Sequence, residues 1–203
     1  DDEAVREAAK MEIVRRYFQA AVEARRSGSG QEYVERLELL MNQAGVDVNY
    51  SPARSAALLK EETTGRPAGA MVLPDGSVVT GKTSDLLGAA SSLLMNALKG
   101  VAGVDDAVDV ISNKVIEPIC ELKTSTLNSR NPRLHSDETL LALSVTSATD
   151  PLAKQLIDHA GDLKGCDAFF SVIISSTDEK LYRTLGINVC CEPKYEQRRY
   201  YHR

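Results

Sequence analysis

A stretch between residues 69 and 92 fits a nucleotide-binding pattern. The residues that satisfy GxxxxGK[ST] are Gly76, Gly81, Lys82 and Thr83. In that pattern backbone amides cradle phosphates, the lysine reaches the outer phosphates and the hydroxyl holds magnesium. The intervening residues 77–80 are mostly β-branched, which favours an extended strand over a curled loop. Because residues 74–76 (Pro-Asp-Gly) are typical of a tight turn, we interpret the stretch as a β-hairpin.

Lys82, Thr83 and Ser84 also lead into a predicted helix over residues 85–101. The free amides and the dipole at a helix N-terminus attract anions, so these three residues are candidate ligands for a small anion. The alternative is structural. In that case Ser84 or Thr83 caps the helix and Lys82 is a solvated surface charge.

A second polar cluster, over residues 131–138, leads into another predicted helix. His135 lies near carboxylates and has an unperturbed pKa close to neutrality, so it could act as an acid or a base. Structural roles explain the cluster equally well, with Ser136 as the helix cap and acidic residues on the helix dipole. The candidate ligand-binding residues of both clusters are Lys82, Thr83, Ser84, Arg133, His135 and Glu138. A shared site requires that they converge within about 10 Å around a concave pocket.

Other familiar chemistries have no support in the sequence. No GxSxG nucleophile motif occurs, and the spacing of the four cysteines resembles no zinc site. Cys190 and Cys191 are neighbours in a predicted strand, so their side chains leave on opposite faces and cannot grip one metal together. We expect buried free thiols, no metal and no cofactor, and no catalytic residue is assigned.

The N-terminal part of the chain is predicted to be helical. Apolar residues recur at helical spacing from Val5 to Ala21 and from Val34 to Met41, with a Ser/Gly loop between them. This predicts a helical hairpin over residues 1–49 whose apolar stripe packs against a surface outside the hairpin. A connector over residues 50–66 follows and contains a short helix from Ala53 to Glu62.

Residues 67–194 alternate between predicted strands and helices, which indicates a layered α/β subdomain. The predicted strands are 68–73, 77–80, 107–112, 168–175 and 187–191, and 168–175 is suited to a central position. Pro118 predicts a broken helix between residues 113 and 127. In the helix after His135 the side chains expected inward are Leu140, Leu141, Leu143 and Val145. Residues 195–203 form a basic, aromatic tail.

Composition excludes several functional classes. The net charge of −5 argues against a broad nucleic-acid surface, because duplex affinity comes mainly from Lys and Arg on phosphates. The tail residues Arg198 and Arg199 are a local exception that could touch RNA, although a terminus docked on a partner subunit explains them too. No apolar run approaches the ~18 residues that span a bilayer. The chain begins Asp1-Asp2-Glu3 without a signal segment, so we expect a processed or engineered piece, or the C-terminal part of a longer cytoplasmic protein.

Four ordered blocks cover nearly the whole chain: DDEAVREAAKMEIVRRYF, AMVLPDGSVVTGKTSDLLGAASSLLMNALK, NPRLHSDETLLALSVTSATDP and LKGCDAFFSVIISSTDEKLYRTLGINVCCEPKY. They resemble the C-terminal region of the bacterial family called domain of unknown function 1846, or UPF 0371. The resemblance implies a helical segment followed by an α/β subdomain similar in topology to cytidine deaminases. It also implies longer family members, whose N-terminal region carries a GxGSGK-type segment that is absent from this sequence.

The deaminase comparison can be tested on residues. A zinc deaminase needs HxE and PCxxC to supply its metal ligands and proton-shuttling glutamate. The first motif would open the helix after the hairpin, where residues 83–86 are Thr-Ser-Asp-Leu, and PCxxC occurs nowhere. Thiolate and imidazole ligands cannot be replaced by Thr and Leu, so zinc-dependent deamination is not expected.

Two functions remain for the chain. The first is a binding or assembly module of a longer protein, whose partners are the remaining N-terminal region, a second copy of the chain, or a small anionic metabolite. The second is part of an enzyme that binds a phosphorylated or carboxylated metabolite in a cleft shared with that N-terminal region. Membrane binding is not expected and nucleic-acid binding is disfavoured.

Overall fold

A computed structural model describes residues 2–196, and the tail residues Arg198 and Arg199 lie outside that range. The helices and strands are α1 (Asp2–Ser27), α2 (Gln31–Ala44), α3 (Pro52–Thr64), β1 (Ala68–Val72), β2 (Val78–Lys82), α4 (Ala89–Ala102), α5 (Asn113–Ser125), α6 (Ser136–Thr146), α7 (Pro151–Asp158), β3 (Asp167–Phe170), α8 (Ser176–Thr184) and β4 (Asn188–Cys191). Short 3-10 turns occupy Val48–Tyr50 and Ala160–Leu163. The chain is therefore a mixed α/β protein, as the sequence predicts. No helix in residues 2–196 is long and apolar enough to cross a membrane.

The strands form one mixed sheet in the order β2-β1-β3-β4. β1 runs antiparallel to both of its neighbours, and β3 runs parallel to β4. The apolar run predicted as a central strand is confirmed as an interior strand, but β3 ends at Phe170 rather than at Ser175. At Ser171 the backbone amide donates to the carbonyl of Ala68, but the side-chain hydroxyl, instead of a backbone carbonyl, accepts from the amide of Ala68. The regular ladder ends there, and the chain turns toward α8.

Each face of the sheet carries its own apolar core. Phe170 and Cys191 belong to the core that the sheet shares with α4, α6, α7 and α8. Phe169 and Cys190 belong to the core shared with α1, α2 and α3. This alternation confirms that Cys190 and Cys191 leave β4 on opposite faces, because successive strand side chains point apart. The described residues thus build three layers, with helices on both sides of the sheet.

The helical hairpin α1–α2 is confirmed, and α1 docks on the sheet through its second half. Phe18 stacks edge-to-face on Phe169 with ring centroids 4.8 Å apart. Arg15 donates from Nε and Nη2 to the two carboxylate oxygens of Asp167, at 2.9 and 3.3 Å. The first half of the predicted stripe is not buried, and Val5 is 68% exposed.

The glycines of the GxxxxGK[ST] pattern have structural roles. Gly76 adopts φ +83° in the turn between β1 and β2, a conformation that other residues rarely adopt. A Cβ atom at Gly81 would lie 2.3 Å from the backbone nitrogen of Leu93, so this glycine lets β2 and α4 pack closely. The β-hairpin interpretation is confirmed, because residues 78–82 are strand and not a phosphate loop.

Several local predictions are wrong. α4 begins at Ala89 rather than near residue 85, because residues 84–87 form a turn in which the Ser84 hydroxyl accepts hydrogen bonds from the amides of residues 86 and 87. Residues 107–112 form turns rather than a strand, since no neighbouring strand offers a partner edge within residues 2–196. α5 runs unbroken through Pro118, which lies in the second turn and deprives one carbonyl of its partner.

In α6 the polar side chains take part of the buried face. Ser136 and Thr139 are fully buried beside Leu143, whereas Leu141 is 68% and Val145 is 72% exposed. The prediction that Leu141 and Val145 face inward is wrong. Apolar residues are so dense in this helix that the pattern defines no single face, and the hydrogen bonds from Ser136 to Asp178 on α8 fix its orientation.

Candidate functional site

The residues that follow β2 separate two cavities. Lys82 and Ser84 line one cavity, and Thr83 between them lines the other. This division follows from the extended backbone, in which consecutive side chains point to opposite sides. We call the first the Lys99 cavity and the second the His135 cavity, after a titratable residue that lines each.

The His135 cavity has a volume of about 180 Å³ and brings together Thr83, Arg133 and His135 with the first residues of α4 and the loop before α8. Backbone hydrogen bonds fix this arrangement. Leu134 donates to the carbonyl of Leu86, and the amide of Gly88 donates to the carbonyl of Leu134. The turn that carries Arg133 and His135 is therefore held against the start of α4.

A buried carboxylate, Asp178 on α8, anchors His135. The Nδ1–H of His135 donates to Oδ2 of Asp178 at 3.2 Å, and the Ser175 hydroxyl donates to the same oxygen at 2.7 Å. The amide and hydroxyl of Ser136 both donate to Oδ1, each at 2.7 Å. Because a carboxylate has about four acceptor positions, Asp178 is fully satisfied by these groups.

The network shifts the pKa of both members of the His135–Asp178 pair. The hydrogen bond to Asp178 raises the pKa of His135 above its ordinary value, against the opposing effect of burial. Burial acts to raise the pKa of Asp178, but the hydrogen bonds from His135, Ser136 and Ser175 outweigh it and lower that pKa. Asp178 therefore stays ionised, holds the Nδ1 tautomer of His135 and leaves Nε2 as the ring atom that can exchange a proton.

Thr83 is a buried polar side chain on the opposite wall, with an exposure of 3%. Its amide donates to the carbonyl of Pro67 at 2.8 Å, and its own carbonyl accepts from Arg66 at 3.4 Å. Within residues 2–196 its hydroxyl makes no hydrogen bond. Since the backbone of Thr83 is satisfied, the hydroxyl is the group that remains to bind a molecule in the cavity.

The N-terminus of α4 and Arg133 contribute positive potential. The N-cap of α4 is Gly88, which offers no side chain to the free amides of the first turn, and Ala89 and Ala90 line the cavity. Arg133 also lines it, with a guanidinium nitrogen 3.7 Å from a carboxylate oxygen of Glu196. Helix N-termini and arginines both favour anions.

Glu138 lines neither cavity but positions the cluster. One carboxylate oxygen accepts from the amide of His135 at 2.8 Å and from the ammonium of Lys123 at 2.6 Å. Lys123, buried on α5, also donates to the carbonyl of Arg133 at 2.6 Å. The predicted capping role of Ser136 is wrong, because His135 is the N-cap and Ser136 instead binds Asp178.

The described residues contain no group of three or more His, Cys, Asp or Glu side chains that could hold a metal ion. α4 opens with Gly88-Ala89-Ala90, so no deaminase HxE motif stands at its actual start either. All four cysteines are free and buried, as predicted, and burial raises the pKa of the Cys190 and Cys191 thiols to about 12. These thiols are therefore poor nucleophiles.

Sequence reasoning missed Asp178 and Ser175, which complete the His135 network. The available signal was the Ser-x-x-Asp spacing at the start of α8, in which Ser175 accepts from the amide of Asp178. That spacing predicts a helix cap. It does not predict that the carboxylate reaches His135, 43 positions earlier in the chain.

Comparison with known proteins agrees with the resemblance of the four blocks. The family pattern described as domain of unknown function DUF1846, C-terminal, matches residues 49–201, and its N-terminal counterpart matches residues 1–45. The chain belongs to the DUF1846 family. Its curated relatives are named UPF0371 proteins and include one from Corynebacterium efficiens, 47% identical over 99% of this chain, and one from Corynebacterium diphtheriae, 46% identical over 99%.

A more distant DUF1846 relative from Streptococcus pneumoniae is 42% identical, again over 99% of this chain. The matches cover only 41% of the Corynebacterium efficiens and Streptococcus pneumoniae proteins and 40% of the Corynebacterium diphtheriae protein. The chain thus spans about two fifths of the length of these curated relatives.

Proposed function

We propose that this DUF1846 chain is a binding module that holds a small anionic metabolite, bearing a carboxylate or phosphate group, in the His135 cavity. The observation that carries the proposal is the convergence of Thr83, Arg133 and His135 with the start of α4 on one cavity. Thr83 supplies an unused hydroxyl and α4 supplies unused amides. Residues that serve only as helix caps are not required to converge around a cavity.

Charge favours an anion over a neutral ligand. The two carboxylates that line the cavity both have partners: Asp178 accepts four hydrogen bonds, and Glu196 lies 3.7 Å from a guanidinium nitrogen of Arg133. The hydrogen bond to Asp178 raises the pKa of His135, which favours the positively charged imidazolium. A ligand carboxylate or phosphate at Nε2 would complete an Asp–His–anion arrangement and add to the potential of the α4 N-terminus.

A titration followed by NMR tests this function in the purified protein. The probes are inorganic phosphate, acetate and succinate, and the reporter is the imidazole Cε1–H resonance. The chain has three histidines, so His135→Asn and His159→Asn assign the signals. A probe bound in the cavity moves the His135 resonance and leaves that of His159, an exposed side chain paired with Asp162, unchanged.

Two variants sharpen the titration. Thr83→Val keeps the shape of the side chain and removes the hydroxyl, so we expect probe affinity to fall about tenfold, the effect of one lost hydrogen bond to a charged group. Thr177→Val, an exposed threonine on α8, is the matched control. Affinity should also decrease as the pH rises through the pKa of His135. The proposal is contradicted if Thr83→Val binds the probes with unchanged affinity, or if the affinity of the wild type does not change with pH.

An enzymatic role is the second candidate, and the His135–Asp178 pair is the observation that favours it. An imidazole oriented by a buried carboxylate is the arrangement of a general acid or base. The Ser175 hydroxyl is not a suitable nucleophile, because it already donates to Asp178. We therefore propose proton transfer to or from the bound metabolite in a cleft completed by the rest of a longer protein. A His135→Asn variant of that longer protein that retains binding and full turnover of an identified substrate would exclude this role.

The assembly role rests on α1. Val5, Ala8 and Ala9 lie on its exposed first half, and Val5 and Ala9 are on the side of the helix opposite the buried Val14 and Phe18. We propose that this half docks against the remainder of the longer protein or against a second copy, because an apolar stripe gains stability when it is covered. Val5→Lys should weaken that association, measured by sedimentation, without changing the fold. An unchanged association constant would contradict the docking role.

We further propose that the α/β part shares the topology of cytidine deaminases and that the protein works in the cytoplasm. The order of elements supports the first point: a hairpin, then α4, then the parallel unit β3–α8–β4. The free buried cysteines agree with a reducing compartment. The net charge of −5 supports the expectation that nucleic acid is not the partner.

A further inference from the structure

The Lys99 cavity is the larger of the two, with a volume of about 360 Å³. It lies between α3, β2, α4 and the loop after α4. Lys60, Lys82 and Lys99 bring three ammonium groups to its walls, and Asp106 and Asp109 bring two carboxylates. Ser92 and Asn96 on α4 add neutral polar groups. None of these residues belongs to the His135 cavity.

Lys99 is the most informative residue of this cavity. Only 7% of it is exposed, and its ammonium donates one hydrogen bond, to the backbone carbonyl of Asp106 at 2.8 Å. Within residues 2–196, none of the three lysines forms an ion pair, although Lys123, the other buried lysine, is paired with Glu138. An ammonium has three N–H donors, and a buried charge without a counter-ion is costly. With three ammonium groups and two carboxylates on its walls, the cavity has an excess of positive charge that an anionic ligand can neutralise.

We propose that the Lys99 cavity binds a phosphorylated polyhydroxy compound, with the phosphate on the three lysines and hydroxyl groups on Asp106 and Asp109. Lysine ammonium groups act as separate point charges that suit a tetrahedral phosphate, whereas the planar guanidinium of arginine can bind a planar carboxylate through two parallel hydrogen bonds. No arginine among residues 2–196 lines this cavity. Carboxylates accept hydrogen bonds from sugar hydroxyls, which gives the two aspartates a role that a bare phosphate would not use.

Isothermal titration calorimetry of the purified protein tests the site, with ribose 5-phosphate, inorganic phosphate and ribose as probes. We expect ribose 5-phosphate to bind more tightly than phosphate, and ribose alone not to bind detectably. Lys99→Met keeps the length of the side chain and removes the charge, so it should weaken ribose 5-phosphate at least about tenfold. The matched control is Lys180→Met, an exposed lysine on α8.

Three further variants separate the parts of the proposal. Asp109→Asn should reduce the advantage of ribose 5-phosphate over phosphate while leaving phosphate binding equal or tighter. His135→Asn removes binding in the His135 cavity, so the ribose 5-phosphate binding that Lys99→Met weakens should persist in this variant, which separates the two cavities. If Lys99→Met does not fold, Lys82→Ala decides, because Lys82 is exposed at the rim. The proposal is overturned if no phosphorylated probe binds at millimolar concentration, or if a folded lysine variant binds like the wild type.

Discussion

The two cavities differ in how many hydrogen-bond partners the fold gives to their buried charged group. In the His135 cavity the buried carboxylate of Asp178 accepts four hydrogen bonds from three neighbouring side chains and one amide, all within the fold. In the Lys99 cavity the buried ammonium of Lys99 has one backbone carbonyl as its acceptor. The first charge is compensated by the protein and the second is not. A compensated charge is a structural and orienting device, whereas an uncompensated one indicates a place for a counter-ion from outside.

The wall between the cavities makes this contrast possible. The extended segment after β2 sends Thr83 to one side and Lys82 and Ser84 to the other. Residues that are adjacent in sequence therefore line different cavities. This division explains why the predicted cluster Lys82–Ser84 does not converge as a whole on Arg133 and His135, although Thr83 does.

Removal of the compensated charge of Asp178 should have the largest effect on the free energy of unfolding. Asp178→Ala leaves the donors of Ser136, Ser175 and His135 without an acceptor in a buried position. We expect the free energy of unfolding to fall by about 3–5 kcal/mol at pH 7, as for other broken buried charge networks. Urea unfolding measures this change. Asp137→Ala, on the same helix turn as Ser136 and less buried, is the control and should cost under about 1 kcal/mol. Equal losses for the two variants would show that the contrast between the cavities is not energetic.

A substitution in the shared wall should damage both cavities at once. At Gly81 a Cβ atom would lie 2.3 Å from the nitrogen and 2.5 Å from the Cα of Leu93, and backbone atoms cannot rotate away. We expect Gly81→Ala to cost about 3 kcal/mol, at the upper end of overpacking effects. The control is Gly161→Ala, because a Cβ atom there meets nothing within 4 Å. If Gly81→Ala unfolds like the wild type, β2 and α4 are not in the close contact described.

Neutralising the uncompensated charge of Lys99 should stabilise the protein rather than destabilise it. Lys99→Met removes a buried ammonium and fills its space with apolar atoms, so the unliganded protein should gain about 1 kcal/mol. Lys123→Met removes an ammonium that is equally buried but paired with Glu138, and it should destabilise the protein. Thermal unfolding in phosphate-free buffer measures both. Destabilisation by both variants to the same extent would mean that Lys99 is as well compensated as Lys123.

Much of the fold was predictable because it depends on local patterns. The hairpin, α1, α2 and α7 follow from turn residues, helical periodicity and Asp150-Pro151, all of which act over a few positions. The errors occur where contacts between segments distant in sequence determine the start or orientation of a helix. α4 starts late because residues 84–88 pair with the turn before α6, and α6 rotates because Ser136 bonds to Asp178, 42 residues away. Three of the candidate site residues share one cavity because of such long-range contacts, and the same contacts hide Asp178 from sequence reasoning.

The smallest expected effect is the pH dependence that His135 adds to stability. Because its hydrogen bond to Asp178 raises the pKa of His135 in the folded state, the native protein holds this proton more tightly than the unfolded chain. The stabilisation is complete below the unfolded pKa of ~6.5 and is lost as the pH rises through the native pKa. Asp178 does not titrate in this range, since its pKa is lowered. In unfolding experiments between about pH 5 and 9, the stability difference between the wild type and His135→Asn should therefore decline with pH. A difference for His135→Asn that is constant over this range would mean that Asp178 orients the ring without holding its proton, and the contrast between the cavities would then be one of geometry alone.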